Sequence, residues 1–166
     1  MSLFLCQPLI FRNMITVRPT KYKESKLIVE YQKKMAWETE ALQLDEKQLT
    51  KGVEAIFEDF NKGIYYVAED KDSGEVVGCL LTTPEWSEWR NGTVLWIQSV
   101  YVDEGYRGKG VFKALYKHIQ DIVHKDKDLR GIRLYVDKTN VSAQKVYDAI
   151  GMNGEHYQLY EWMKEF

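Results

Sequence analysis

The sequence predicts an α+β protein built on a mixed central β-sheet flanked by helices. Three features lead there: two amphipathic helical stretches come before the main run of strands, the next three strands follow one another through turn-rich connections, and only one clear strand-helix-strand unit occurs. With 166 residues the chain has the length of one domain, able to bury roughly two thirds of its unfolded surface without disulfide or metal support.

The first strand is "MITVRP", where Ile15 and Val17 alternate with polar neighbours up to Pro19. Thr20 is the expected N-cap of a helix over roughly 21–36, with Leu27, Ile28, Tyr31 and Met35 at helical spacing. After "AWETEALQL", Asp45 with Gln48 three residues on forms a capping-box pattern. It opens a second helix in which Leu49, Val53, Ile56, Phe57 and Phe60 share a face and "NKG" gives the stop.

"IYYVAED" and "VVGCLLTT", joined by "KDSG", read as a β-hairpin. "PEWSEWRNG" reads as a second hairpin turn leading into "TVLWIQSVYV", which is apolar on both faces and therefore central. A helix with Val111, Leu115, Ile119 and Ile122 on one face comes next, then the strand "GIRLYV" with Ile132, Leu134 and Val136 aligned. Asn140 caps a short helix over about 141–150, closed by Gly151, and "EHYQLYEWMKEF" is expected to add a last strand or strand pair.

Residues 1–13 are set apart as an N-terminal extension or lead-in, and residues 14–166 as a single domain. The opening "MSLFLCQPLIF" has neither the basic start nor the cleavage site of a signal peptide, and no apolar run approaches a membrane span. A net charge of -2 argues against a nucleic-acid partner. Cys6 and Cys79, in unrelated contexts, build no disulfide framework or metal site, which favours a reducing, cytoplasmic setting.

The chemistry-bearing stretch is "VYVDEGYRGKGVFKALYKHI", a strand that passes through three glycines and two basic residues into a helix. Glycines let a backbone approach a ligand closely, and the unpaired N–H groups of a first helical turn attract an anion. Taken alone, the glycines serve equally well as a plain strand-to-helix turn. The Walker pattern requires G-x-x-x-x-G-K-[ST], which "GYRGKGVF" does not contain, and "GKGVFK" lacks the third glycine of the dinucleotide fingerprint.

Some thirty residues on, beyond the next strand, "TNVSAQKVYDAIGM" sets Asn140, Ala143 and Tyr147 in the pattern N-x-x-A-x-x-x-Y. A glycine turn of this kind, followed by a strand and then this pattern, resembles the GNAT superfamily of N-acetyltransferases, most specifically over residues 95–152. The resemblance implies a GNAT-like acyl-coenzyme A N-acyltransferase fold with splayed central parallel strands, and acetyl-coenzyme A (acetyl-CoA) as co-substrate with no metal. It places the pyrophosphate at the turn formed by Arg107, Gly108, Lys109, Gly110, Val111 and Phe112, where Phe112 departs from the small residue of the family pattern. It places the pantetheine arm on backbone groups of Val100, Tyr101 and Val102, as a strand added by the cofactor, and near Asn140 and Ala143. Tyr147 matches the acid that protonates the leaving thiolate.

In such a reaction an amine attacks a thioester, an aimed N–H such as that of Val100 steadies the oxyanion, and an acid serves the sulfur. Where many relatives carry a carboxylate on the central strand, this chain has Trp96. The expected base is therefore Glu38 or Glu40, with Gln98 orienting a water or the amine. Acidic residues beside Trp37, with Tyr160, Glu161 and Trp162 in the tail, suggest a cationic small-molecule acceptor, polyamine-like or amino-acid-like. Acetylation of a protein N-terminus or lysine, and a non-catalytic acetyl-CoA-binding module, stay open as alternatives. The two tryptophans of the aromatic hairpin suggest a homodimer contact or a lid.

Overall fold

The structure is a computed structural model that describes residues 14–164; Cys6, with the rest of the extension, lies outside the described residues. Strand β1 (Ile15–Pro19) leads through a 3-10 turn (Tyr22–Glu24) into α1 (Ser25–Glu40) and α2 (Glu46–Glu58). Then come β2 (Ile64–Asp70), β3 (Val76–Ser87), β4 (Gly92–Val102), a second 3-10 turn (Glu104–Tyr106), α3 (Val111–Lys125), β5 (Leu129–Leu134) and α4 (Val141–Ala149). The five strands form one sheet in chain order. Every neighbouring pair is antiparallel except β4 and β5, which are parallel.

The alternation of β2, β3 and β4 sends side chains to two cores. On one face Tyr66, Ala68, Leu80 and Ile97 meet Val111, Leu115 and Ile119 of α3. On the other, Tyr65, Val67, Cys79 and Tyr101 meet Ile28, Val29 and Tyr31 of α1 and Val53 of α2. Each large side chain buried in this way contributes about 1.5–3 kcal/mol. Cys79 is fully buried in the second core, which pushes its thiol up to about 12 and leaves it an inert packing residue.

Several expected boundaries move. Thr20 does not cap the first helix: Lys21 is the N-cap of the 3-10 turn and Glu24 that of α1, and the Thr20 hydroxyl is buried with no partner among the described residues. Regular helix starts at Ser25 and continues through "AWETE" to Glu40, where Ala41 turns left-handed at φ 52. Alanine and glutamate are good helix formers, so nothing stops α1 at residue 36. The Asp45 cap is present, its carboxylate accepting from the Gln48 amide at 2.7 Å. Phe60, however, falls beyond the end of α2 and is 75% exposed.

Strand β3 takes in "PEWS", so the second hairpin turn is confined to residues 88–91. Trp86, near the end of β3, and Trp89, in the turn, are 62% and 86% exposed. Strand β5 begins at Leu129 and ends at Leu134, which leaves Val136 outside it. The tail forms no strand over residues 155–164. Its apolar residues Tyr157, Leu159, Tyr160, Trp162 and Met163 fall on both parities and are all exposed, so no single face could be buried by pairing. None of the described helices is long and apolar enough to cross a membrane.

Candidate active site

The sheet opens into a fork between its two parallel strands. Pairing of β4 with β5 runs from Thr93 opposite Leu129 to Ile97 opposite Leu134 and stops there, while β4 continues to Val102. On the other side β4 stays paired with β3, with Leu80 opposite Val100 and Gly78 opposite Val102. The Asp103 amide donates to the Val77 carbonyl at 2.9 Å. By the alternation of an antiparallel ladder, the amides and carbonyls of Val100 and Val102 therefore turn away from β3, into the fork. Their side chains pack on the α3 core, so backbone groups are what these two valines present to the opening. The Tyr101 side chain is buried in the opposite core.

From the open end of β4 the chain enters the glycine turn. Gly108 and Gly110 have φ values of 72° and 81°, in the left-handed region that glycine tolerates, and a Cβ at either would meet no atom within 4 Å. Gly110 is the N-cap of α3. The first bond inside that helix runs from the Ala114 amide to the Gly110 carbonyl at 3.0 Å, so the amides of Val111, Phe112 and Lys113 point outward, unpaired among the described residues. Two of the amides expected in the cradle are taken up within the turn instead: Arg107 donates to Glu104 at 3.3 Å and Lys109 to Tyr106 at 3.4 Å. The Lys109 ammonium rests over the Tyr106 ring at 4.9 Å.

The Arg107 side chain bridges the fork and α1. Its Nε donates to the Val102 carbonyl at 3.0 Å, its Nη2 to Glu38 Oε2 at 2.6 Å, and its guanidinium lies 5.6 Å from the Tyr101 ring centre. Glu38 thus stands on the last turn of α1, tied to the glycine turn, while Glu40 makes no side-chain hydrogen bond among the described residues. An exposed pair of this kind is worth up to about 1 kcal/mol. Glu38→Gln is expected to free Arg107 for an anion and tighten coenzyme A binding by up to about fivefold, read by isothermal titration at low salt; unchanged or weaker binding would refute the competition.

Asn140 caps α4, its Oδ1 accepting from the Ala143 amide at 3.0 Å. Tyr147, one turn further, packs edge-to-face on Phe112 with ring centres 5.6 Å apart. Burial raises the Tyr147 phenol above its ordinary value of 10. Phe112, the atypical residue of the turn, is directed sideways into packing with Tyr147 and Tyr116.

Gln98 sits at a register shift of β4, unmatched between the Leu81–Ser99 and Thr82–Ile97 pairs. Its Nε2 donates to Thr83 at 2.8 Å, and its Oε1 accepts from the Tyr135 hydroxyl at 3.3 Å, so it spans from β3 to the segment after β5 at the crotch of the fork. Beside it lies a pair that the sequence reading missed. Glu85 of β3 accepts from the Trp96 indole N–H and from Arg133 Nη1 of β5, the latter at 2.6 Å. Counting the β3–β4 ladder outward from "EWRNG" puts Glu85 opposite Val94 and diagonal to Trp96 on the same face; nothing local identifies Arg133, because it arrives through the parallel pairing. No group of three metal-ligating side chains is found among the described residues. Surface hollows lined by Glu46, Lys47, Thr50 and Lys51 and by Ile122 with Lys125 to Asp128 include none of these side chains.

The sequence model of the acetyltransferase (GNAT) family matches residues 29–152. A spermine/spermidine N(1)-acetyltransferase of Bacillus subtilis (strain 168) is 29% identical over 101 residues, covering 56% of this chain and 60% of that protein. A solved structure described as a possible acetyltransferase from Clostridium difficile 630 is 40% identical, covers 92% of this chain and 99% of its own, and superposes with a TM-score of 0.84. An aminoglycoside N-acetyltransferase solved in complex with CoA, 16% identical and covering 90% of this chain and 95% of its own, shares the fold with a TM-score of 0.72.

Proposed function

The chain belongs to the acetyltransferase (GNAT) family, and from that premise we propose that it transfers acetyl from acetyl-CoA to a primary amine of a small molecule, polyamine-like or amino-acid-like. The observation that carries this reading is the fork, where the backbone groups of Val100 and Val102, paired with neither neighbouring strand, open beside a glycine turn and the N-terminus of α3. An extended chain of amide groups can add there as an extra strand while its phosphates meet the amides of Gly110, Val111 and Phe112. Arg107 then exchanges Glu38 and the Val102 carbonyl for the anion. Asn140 keeps its cap through Oδ1 and has its amide N–H groups left for the arm.

In the transfer the amine nitrogen attacks the thioester carbonyl, and the negative charge gathers on the carbonyl oxygen, which accepts from the Val100 amide. The C–S bond breaks as Tyr147 gives its proton to the thiolate, and the amine's surplus proton leaves through water. Gln98, at the crotch of the fork, orients that water or the amine. Glu38 and Glu40 supply the acidic rim on the side of α1, and we assign proton removal there. The free, buried Cys79 suits a reducing cytoplasm.

Incubating the protein with acetyl-CoA and a panel of primary amines, while following thiol release, tests the reading. Amine-dependent release is expected. Tight coenzyme A binding without turnover on any amine would support the binding-module alternative, and turnover confined to peptides would support the protein acetyltransferase one.

A further inference from the structure

Resting on the transfer reading above, we infer that the Glu85–Arg133 pair is a subsite for the zwitterionic head of the acceptor, which makes that acceptor a diamino acid rather than a polyamine. Three strands bring the subsite together. Arg133 is in register with Trp96, one rung before the last pair of the fork, and Glu85 lies in the rung beside Val94. One Arg133 N–H is held by Glu85, while its Nε and Nη2 have no hydrogen-bond partner among the described residues. The guanidinium carbon lies 5.8 Å from the Trp96 ring centre and 6.0 Å from that of Tyr157. Two rings thus flank it, and the remaining donors, Nε and Nη2, form the fork that takes a carboxylate with two parallel bonds.

Both members of the pair stay within reach of solvent, Arg133 at 31% and Glu85 at 37% side-chain exposure. The neighbouring polar groups, Thr83, Gln98 and Tyr135, are uncharged, so the strip has one positive and one negative group and no net charge. A dication would meet Arg133 as a like charge, whereas a head carrying an ammonium and a carboxylate matches the two ends of the pair, carboxylate on Arg133 and ammonium on Glu85.

The position of the pair decides which nitrogen reacts. Trp96, the rung of Arg133, is four residues from Val100 along β4, roughly 13 Å at the rise of an extended strand. An α-amine held at Glu85 is too far from the Val100 amide to attack there. An amine at the end of a side chain, passing Gln98 and Tyr135, reaches further toward the Val100 amide than the α-amine does. The acetyl group therefore goes to the side-chain nitrogen.

The experiment compares L-lysine with cadaverine and L-ornithine with putrescine, pairs that differ by the carboxylate alone, using thiol release for rate and NMR of the product for the acetylated nitrogen. The expected result is a kcat/KM at least about tenfold higher for the diamino acids, with acetyl on the side-chain nitrogen. In Arg133→Met that ratio is expected to fall toward one through KM, and in Arg133→Lys to fall part of the way. Thermal melts check that the variants fold; should Arg133→Met fail to, Glu85→Gln and the wild-type ratio carry the test. Equal or better use of the diamines, acetylation of the α-nitrogen, or a loss in Arg133→Met shared equally by both members of each pair would overturn the subsite while leaving acetyl transfer standing. Absence of turnover on every amine would instead defeat the transfer reading itself, and the subsite with it.

Discussion

Replacing Tyr147 with Phe is expected to lower kcat about 100-fold while leaving the Kd for acetyl-CoA within about twofold. The hydroxyl is the one atom removed, and the ring keeps its edge-to-face contact with Phe112. General acids contribute about 10²–10⁴-fold, and the lower end suits a thiolate, whose conjugate acid already has a pKa near 8.5. Burial supplies a second readout. With the phenol raised above 10, its acid form persists through neutral and mildly alkaline pH. The loss of rate from its ionisation therefore falls above pH 10 and disappears in Tyr147→Phe. A kcat–pH profile together with calorimetric titration checks both parts. If affinity fell in step with rate, Tyr147 would be a packing residue supporting Phe112, and the proton would come from elsewhere.

The parts of this molecule that local rules govern were legible in the sequence. Asp45 and Asn140 cap their helices by the bonds their side chains suggest, and Val111, Leu115 and Ile119 bury the face their spacing implies. The strand-turn-helix unit at the glycines could be read because its chemistry lies in consecutive backbone groups. What escaped depends on partners distant in the chain. Glu85 and Arg133 are 48 residues apart and meet only because β4 pairs with β3 on one side and β5 on the other. Glu38 was expected in a loop, but α1 runs one turn longer and places it on the helix, where it meets Arg107, 69 residues away. The tail misled for a different reason: aromatic content suggested a strand, yet its apolar residues offer no consistent face to a neighbour.

Gly110→Ala is expected to weaken coenzyme A binding about tenfold or more, whereas Gly74→Ala is expected to leave it unchanged. The two glycines are closely matched. Gly110 has φ 81° and Gly74 φ 73°, and a Cβ at either position meets no protein atom within 4 Å. The folded protein alone therefore experiences the same insult at both, a left-handed alanine costing about 1–2 kcal/mol, and the two variants should lose similar thermal stability. They differ in what occupies the open space. Gly74 lies in the β2–β3 hairpin turn, where its amide bonds back to the Asp70 carbonyl at 2.8 Å. Gly110 caps α3 at the end of the fork. A phosphate seated on the amides of Gly110 and Val111 must come within hydrogen-bond distance of that backbone, and a methyl group there either displaces it or turns the amides aside. Coenzyme A titrations on both variants, with thermal melts alongside, separate the two contributions. Equal affinities in the presence of equal destabilisation would show that the glycine turn answers only to chain geometry, and that the pyrophosphate rests elsewhere.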